Sequence, residues 1–396
     1  MKSQEQPHIA VIGTQGQQVI SGPGTFMRYL CQSVEEGTLS ADIIYPHSRE
    51  GTAYADQDFV KFVPGGKWFY NRFPGSWLIT CFLVFLYLLW RGKHRAYSAI
   101  WFADRFSTLF CVFWPPLRRK AFAMVNDDTK ILNYEEKDLD ARKGFRKRLA
   151  CFNTWFLYAT ERLICRKAAI TISNSDYLSQ KLIQSYGLDP ARVHRLYKAV
   201  DFNRFAQVSK SPQQFSGCRI LFVKNEWFRG GLDILLMALE ELDFHDVHLR
   251  IIGLSESDLS SDMRAKIEQL RKKKTVEIMG IVDREKIPEQ FSWASIFCVP
   301  SRREALGVAF MEALASGTAC IGPKTGGVPE VMAHGKAGWL VPPGDAIVLK
   351  KTIEEILSDT HEAEEKIKFG LVHVQEFSKD KMIANIKTLT QKYFHN

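Results

Sequence analysis

Short apolar runs of four to seven residues alternate with helical patterns along the whole chain, and this alternation limits the possible folds more than any other feature. In the first half these runs occupy residues 8–13, 42–45, 98–102, 121–125 and 169–173. In the second half they occupy residues 219–223, 247–253, 276–280, 296–300 and 319–323. Strands separated by helical crossovers form parallel sheets with helices on both faces. The pattern therefore predicts an α/β fold with two doubly wound, Rossmann-like sheets.

The length of the chain also indicates two domains. Its 396 residues exceed the roughly 250 to 300 residues at which one hydrophobic core stops growing. The segment 206–217 is polar, lacks periodicity and contains a proline, as is typical of a linker. We therefore expect an N-terminal domain at 1–205, a linker at 206–217, a C-terminal domain at 218–377 and a final helix at 378–396.

Positive charge is confined to the first half of the chain. Up to residue 200 there are 27 basic and 17 acidic residues, and after it there are 26 and 27. Within 61–120, ten basic residues and one acidic residue, Asp104, accompany 17 aromatic residues. Such a balance indicates an anionic partner, either a membrane surface or a nucleic acid. The aromatic residues form a continuous run and no nucleic-acid motif is present, so the sequence favours a membrane and no nucleic-acid partner.

The segment 77–90 is apolar on every side of a helix. Its 14 residues reach about 21 Å as a helix, whereas a bilayer core is about 30 Å thick. Cations and aromatic residues flank it on both sides, which favours partial insertion into the membrane interface; a buried core helix is the alternative. A second basic, amphipathic segment at 142–159 could rest on lipid or pack on its own sheet.

The segment 300–345 carries the clearest chemistry. Glu304 falls in the loop after a strand, Gly307 opens a helix, and Glu312 lies in its first two turns. Free amides around Gly307 and Val308, with the helix dipole, favour a phosphate. Because a carboxylate repels a diphosphate, Glu304 and Glu312 are suited to accept hydrogen bonds from sugar and ribose hydroxyls. The sequence therefore predicts a nucleotide-sugar site.

Neither a cofactor nor a metal is expected. The eight cysteines include no C-x-x-C pair, and the Asp138-Leu139-Asp140 triplet lies in a charged run with the character of a solvated helix start. The beginning of the chain lacks a signal-peptide pattern. A cytoplasmic location is the resulting expectation.

The motifs of the second half resemble those of retaining glycosyltransferases of family 4, which have the GT-B fold. The resemblance rests on the E-x7-E pair, the following Ala-Ser-Gly, the Gly-Gly-Val-Pro-Glu turn at 326–330 and the Gly-Trp-Leu-Val-Pro-Pro-Gly-Asp segment at 338–345. The resemblance is strong over roughly 170 residues of the second half, and the first half resembles the family only in outline. It implies two Rossmann-like domains facing a cleft, with the donor on the second domain, the acceptor on the first, and the last helix packed back on the first.

The same resemblance implies individual roles. Glu304 would contact the donor sugar, Glu312 the ribose, and Gly307 with Val308 the distal phosphate. The base would meet backbone at Gly280 and Ile281, and the N-terminal glycine-rich loop would contribute Gly22 and Gly24.

The sequence departs from the family pattern at several positions. The family's diphosphate-gripping Arg and Lys are replaced by Asn225 and Gly230. Arg229 fits a variant with the cation one residue earlier, and Lys224 is the weaker candidate. Asn126, followed by Asp127, stands where the first domain often has a histidine on the sugar or acceptor side.

The expected function follows from the resemblance and the charge pattern together. It is retaining transfer of a sugar from a nucleoside diphosphate donor to a membrane-associated acceptor, such as a lipopolysaccharide core or a lipid-linked saccharide. UDP is the commonest choice in the family. The enzyme would be peripheral at the inner face of an anionic membrane. The alternatives are a GT-B-shaped membrane scaffold without activity, and a phosphorylase or epimerase on the same fold.

Overall fold

The computed structural model of the protein describes residues 7–13, 22–46, 54–65, 68, 76–126, 145–206, 217–244 and 246–394. The chain forms two compact units. The first comprises Met1–Ala199 and Asp380–Asn396, and the second comprises Val200–Lys379. Asp127 and most of the expected linker lie outside the described residues.

Each unit contains one parallel sheet. The strands are β1 (Ile9–Ile12), β2 (Ala41–Tyr45), β3 (Val60–Phe62), β4 (Ala99–Phe102), β5 (Ala121–Val125), β6 (Ile170–Ser173), β7 (Val193–Arg195), β8 (Cys218–Val223), β9 (Val247–Ile252), β10 (Thr275–Gly280), β11 (Ile296–Cys298), β12 (Ala319–Pro323) and β13 (Trp339–Val341). Over the described residues the first sheet has the order β3-β2-β1-β4-β5-β6-β7 and the second β10-β9-β8-β11-β12-β13. The α/β architecture predicted from the alternating pattern is confirmed.

Helices connect and cover these strands. The α-helices in the described ranges are Gly22–Glu35, Ser76–Leu89, Pro115–Arg118, Phe145–Lys167, Asp176–Tyr186, Phe202–Ala206, Trp227–Gly230, Leu232–Glu240, Ser261–Arg271, Ile287–Trp293, Val308–Ala315, Val328–Val331, Ala346–Ser358, Thr360–His373 and Lys379–Phe394. Short 3-10 helices lie at Trp90–Ala96, Arg105–Thr108, Cys111–Phe113, Pro190–Arg192, Glu256–Asp258, Arg284–Lys286, Ala333–Gly335 and Val374–Phe377.

The strands are buried on both faces. Every residue of β1 (Ile-Ala-Val-Ile) and of β5 (Ala-Phe-Ala-Met-Val) is buried. Such continuous apolar runs are typical of parallel strands covered by helices on both sides. The final helix, Lys379–Phe394, contributes Met382, Ile383 and Ile386 to the core of the first unit.

The apolar helix Ser76–Leu89 has two different faces. Cys81, Val84 and Leu88 are buried in the core of the first unit, whereas Phe82 and Leu86 are exposed. The helix is therefore neither fully buried nor detached from its unit. In the part of the chain that the structure describes, every helix is too short or too polar to cross a bilayer.

Glu161, in the helix Phe145–Lys167, forms a buried ion pair. Its carboxylate accepts a hydrogen bond from the guanidinium of Arg105 and another, 2.9 Å long, from the hydroxyl of Tyr186. Glu161 is thus the partner of a buried arginine. The ion pair joins the helix Phe145–Lys167 to the 3-10 helix Arg105–Thr108.

Candidate active site

The strand order of the second sheet reverses between β8 and β11. Open α/β sheets bind ligands at the carboxyl ends of the strands beside such a reversal. Lys224 directly follows β8, and Glu304 lies in the loop that follows β11. The fold therefore brings two residues that are 80 positions apart in the chain to the point where a ligand is expected.

Lys224 and Glu304 form an ion pair at this point. The Lys224 ammonium nitrogen lies 2.5 Å from a carboxylate oxygen of Glu304, and each side chain is 17% exposed. Burial by itself would raise the pKa of Glu304, but the charge and hydrogen bond of Lys224 and the charge of Arg229 hold this pKa below its usual value. Glu304 is therefore an ionised hydrogen-bond acceptor at neutral pH, and its partner is Lys224 and not a neighbouring arginine.

Two glycines hold the backbone of the Glu304 loop. The amide of Gly327 donates a 3.1 Å hydrogen bond to the carbonyl oxygen of Glu304. Gly326 has a φ of +68°, and a Cβ at this position would lie 1.8 Å from the same oxygen. Only a residue without a side chain allows this approach. The Gly-Gly-Val-Pro-Glu motif thus fixes the position of the acid from the backbone.

The helix Val308–Ala315 begins beside this loop. Its N-cap, Gly307, has a φ of +93°, and a Cβ there would lie 2.9 Å from the Phe310 ring and 3.0 Å from Val328. The first amides of a helix have no partner within the helix and carry the positive end of its dipole. The amides of Val308 and its successor are therefore available to an anion beside Glu304.

Glu312, on the same helix, has the opposite electrostatic character. Burial raises its pKa to about 7, although Arg284 and Arg204 act to lower it. The side chain of Arg204 donates a hydrogen bond to the backbone carbonyl of Arg284, which holds the Arg204 guanidinium against the 3-10 helix Arg284–Lys286. The two acids that the sequence paired by spacing therefore differ in charge near neutral pH, because only Glu304 has a cation in direct contact.

Arg302 joins the loop that carries Glu304 to the helices Trp227–Gly230 and Leu232–Glu240, and sequence reasoning missed this role. Its guanidinium makes two hydrogen bonds, of 2.8 and 2.7 Å, to the carboxylate of Asp233 and one of 2.6 Å to the carbonyl of Phe228. Its backbone amide donates to the carbonyl of Arg229 at 2.9 Å. Asp233 is 69 residues away in the chain, so no local pattern predicts the pair.

A glycine supports this connection from the other side. Gly231 has a φ of +73°, and a Cβ there would lie 2.3 Å from the carbonyl oxygen of Pro300. The segment that carries Arg229 therefore packs directly against the loop that leads to Glu304. Arg229 is half-buried, and its charge acts on Glu304.

Gly280 and Ile281, predicted to meet the base, lie at the end of the edge strand β10. The carbonyl of Gly280 accepts a 2.7 Å hydrogen bond from the amide of Gly253. A Cβ on Gly280 would meet no atom within 4 Å, and Ile281 is 82% exposed. This backbone is therefore accessible to a ligand at the same carboxyl edge of the sheet.

The predicted residues of the first unit lie at the carboxyl edge of the first sheet. Gly22 and Gly24 are in the first turn of the helix Gly22–Glu35, which follows β1. Asn126 directly follows β5; its side-chain amide donates to the carbonyl of Ala103 at 3.0 Å, and its own carbonyl accepts from Asn174 at 2.8 Å. Asn126 thus connects the ends of three strands.

Metal chemistry was not expected from the sequence. Across the described residues no group of three or more His, Cys, Asp and Glu side chains could hold a metal ion. Residues outside those ranges include Asp127 and His245. A reaction without a metal cofactor stays a prediction.

Sequence comparison finds a known family that is similar to the part of the chain that contains this site. Residues 209–370, about two fifths of the chain, match the family described as Glycosyl transferases group 1. These residues are similar to the glycosyl transferases group 1 family. The domain contains Lys224, Arg229, Glu304 and Glu312, so the resemblance to glycosyltransferases is confirmed where it was strongest.

Curated relatives cover part of the chain. One is the D-inositol 3-phosphate glycosyltransferase 2 of Catenulispora acidiphila, which is 29% identical over 192 residues, or 44% of this chain and 45% of that protein. The chain spans about half the length of the curated relatives it matches.

Solved structures match nearly the whole chain. Anabaena Alr3699/HepE, crystallised with UDP and glucose, has a TM-score of 0.73 at 17% identity and covers 98% of this chain and 100% of its own. WaaG, a glycosyltransferase involved in lipopolysaccharide biosynthesis, has a TM-score of 0.69 at 15% identity over 96% and 99%. The GT-B fold expected from the sequence is confirmed, whereas membership of family 4 stays a prediction.

Proposed function

We propose that the protein is a retaining glycosyltransferase that moves a sugar from a nucleoside diphosphate sugar, most simply a UDP-sugar, to a hydroxyl acceptor. The observation that carries this proposal is the Lys224–Glu304 ion pair beside the Gly307 helix start, at the reversal of the second sheet. The group 1 domain match over the same residues supports it, as does the likeness in fold to a protein crystallised with UDP and glucose.

Each residue has a role in this proposal. Arg229 and Lys224 attract the diphosphate, while the amides at Gly307 and Val308 bind its distal phosphate. Glu304 accepts hydrogen bonds from the donor sugar, and Glu312 accepts them from the ribose. Backbone at Gly280 and Ile281 contacts the base.

The same arrangement accounts for rate enhancement. As the bond between sugar and diphosphate breaks, negative charge develops on the leaving phosphate. Amides and cations that already face this position stabilise the transition state more than the ground state. In the free protein Glu304 neutralises Lys224. When the donor binds, Lys224 pairs with the diphosphate and Glu304 accepts hydrogen bonds from the sugar, so neither charge is left buried without a partner.

The acceptor in this proposal is attached to a membrane, as a lipopolysaccharide core or a lipid-linked saccharide. The cationic, aromatic character of 61–120 supports a peripheral position at the inner face of an anionic membrane. The likeness in fold to WaaG, whose name records a part in lipopolysaccharide biosynthesis, is in keeping with such an acceptor.

Nucleotide release in the presence of bacterial membrane extract tests the proposal. With a panel of nucleotide sugars, we expect one donor to be turned over and the Glu304→Gln variant to lose roughly 100-fold or more of that turnover. Glu277→Gln is the matched control, since Glu277 forms a 2.6 Å ion pair with Arg250 in the same sheet, away from the reversal. Its turnover should be unchanged.

Binding separates the enzyme from the scaffold alternative. A ligand that binds the folded protein raises its melting temperature in a dose-dependent way. If neither UDP nor GDP at millimolar concentration shifted the melting temperature, and no donor was consumed, the scaffold alternative would replace the proposal. Turnover without a membrane acceptor would favour the phosphorylase or epimerase.

A further inference from the structure

Three large apolar side chains form an exposed line on the first unit. Phe82 and Leu86 are 43% and 44% exposed on the helix Ser76–Leu89, and Trp90, which follows it, is 54% exposed. Residues four apart lie on one side of a helix, and eight residues span about 12 Å. Since the opposite side of this helix packs in the core, its orientation is fixed by the fold.

The neighbouring 3-10 helix Cys111–Phe113 and the residue after it add two more aromatic side chains. Phe113 and Trp114 are 58% and 45% exposed. The ring of Phe110, three residues earlier, packs edge-on against Phe82 with 5.3 Å between ring centroids. Phe110 thus connects the segment with Phe113 and Trp114 to the helix Ser76–Leu89. We call Phe82, Leu86, Trp90, Phe113 and Trp114 the aromatic surface; extended apolar patches of this kind mark interaction sites.

Trp77, which the sequence suggested as a lipid-facing residue, is not part of this surface. Its ring packs against Phe106 at 5.4 Å and Phe156 at 6.3 Å, and it is half-buried. Phe113 and Trp114 lie outside the segment 77–90 that the sequence singled out. The exposed side chains are therefore drawn from two elements and not from one inserted helix.

Cations adjoin the aromatic surface on both elements. Lys93 and Arg95 follow Trp90, and Arg118 and Arg119 follow Trp114. The Lys167 ammonium lies 5.8 Å from the centre of the Phe113 ring. Between residues 76 and 120 the chain contains a single carboxylate, Asp104, which accepts a hydrogen bond from a backbone amide.

We propose that the aromatic surface inserts into the headgroup layer of an anionic bilayer and holds the first unit on the membrane. Aromatic and leucine side chains reach the boundary between headgroups and acyl chains, and the adjoining lysines and arginines pair with lipid phosphates. A second copy of the chain fits less well because it would bring the same positive charge. This inference deepens the proposed function by naming the surface that brings the enzyme to its acceptor.

Co-sedimentation with vesicles tests it without any nucleotide. Vesicles of phosphatidylcholine with phosphatidylglycerol should bind the full chain, and added salt should weaken the binding. Serine at both Phe82 and Trp90 should lower the partition coefficient about tenfold. The matched control is serine at Ile347 and Val372 of the second unit, which are 83% and 71% exposed; it should bind like the unchanged protein.

A charge variant covers the possibility that the serine variant does not fold. Arg118→Gln with Arg119→Gln should weaken binding to anionic vesicles and leave the melting temperature unchanged. Failure of the unchanged protein to sediment with anionic vesicles, or equal losses in the control variant, would overturn the proposal. So would a dimer in solution that Phe82→Ser with Trp90→Ser dissociates. None of these results affects the shift of melting temperature by UDP, so donor binding is judged separately.

Discussion

The ligand edge of the second sheet and the aromatic surface of the first unit recognise their partners by different physical means. At the sheet edge, the Glu304 carboxylate lies 2.5 Å from the Lys224 ammonium, and the Glu304 backbone carbonyl accepts a hydrogen bond from Gly327. The same carbonyl lies so close to residue 326 that only glycine fits there. On the aromatic surface, five large side chains are 43% to 58% exposed, and the neighbouring positive charges are spread along the chain.

The two regions should differ in how well they tolerate amino-acid substitutions. A small ligand with several polar groups requires donors and acceptors at fixed positions, so the loss of one contact disturbs the others. A bilayer interface requires only enough apolar area and enough positive charge, and contributions are close to additive. Substitutions at the sheet edge should therefore have steep effects, and those at the aromatic surface graded ones.

Among the residues that support the site without contacting the donor, the largest effect is expected from Gly326→Ala. The new Cβ would lie 1.8 Å from the carbonyl oxygen of Glu304, so the loop must move and carry the carboxylate with it. A displacement near 1 Å in a catalytic site can cost about 100-fold in rate. We expect turnover to fall by about that factor in the nucleotide-release assay.

Gly335→Ala is its control. Gly335 also has a positive φ, +98°, but a Cβ there would meet nothing nearer than Leu340 at 3.9 Å. Each variant should lose about 1 to 2 kcal/mol of stability from the left-handed backbone, and Gly326→Ala should lose more because its loop must also move, as denaturant unfolding would measure. Only Gly326→Ala should lose activity. Equal activity of the two would contradict the steep dependence expected at the sheet edge.

The fold and the candidate site were predictable from the sequence to different degrees. Continuous apolar strands such as β1 and β5 separated by helices identify a parallel sheet, because burial on both faces leaves no other choice of residue. Glu304, Gly307 and Glu312 could be found because they occupy one short segment with turn and helix signals around them. Such features can be recognised from the residues of one short segment of the sequence.

Contacts between distant segments could not be predicted in this way. The partner of Glu304 is Lys224, 80 residues earlier, and the partner of Arg302 is Asp233, 69 residues earlier. Both pairs form only because β8 and β11 are neighbours in the sheet. Likewise, the helix Ser76–Leu89 is apolar on all sides in sequence, so only its packing distinguishes the buried Val84 from the exposed Leu86.

A smaller effect is expected from Arg302→Lys, which tests whether the sheet edge needs its supporting contacts. Lysine keeps the charge but cannot make the two parallel hydrogen bonds to Asp233. The segment that carries Arg229 would then be held less firmly. We expect the KM for the donor to rise about tenfold with little change in kcat, as steady-state kinetics would measure.

Arg250→Lys separates positioning from general stability. Arg250 has similar contacts, with Glu277 at 2.6 Å, Gln290 at 3.3 Å and the Trp293 ring at 3.8 Å, but it lies away from the strand reversal. Both variants should melt at lower temperature. If Arg302→Lys lowered the melting temperature as Arg250→Lys does and left the donor KM unchanged, Arg302 would have a structural role only.

The smallest expected effect is a pH dependence of donor binding, which distinguishes the sheet edge from the aromatic surface. None of the five side chains of the aromatic surface is ionisable, so we expect vesicle binding to change little between pH 6 and 8. At the sheet edge, burial raises the pKa of Glu312 to about 7. Below that pH the acid is protonated in the free protein, and a protonated carboxyl is a weaker acceptor for ribose hydroxyls.

Donor affinity should therefore rise with pH through the pKa of Glu312. The diphosphate of UDP-glucose does not titrate near neutrality, so a change in its dissociation constant reports on the protein. If the carboxylate binds and the acid does not, the ionised fraction rises from about one tenth at pH 6 to about nine tenths at pH 8, and affinity should increase about ninefold by calorimetry. Glu312→Gln should bind weakly at both values. If that variant kept an increase of about ninefold, the titration would belong to another group and Glu312 would not be the ribose contact.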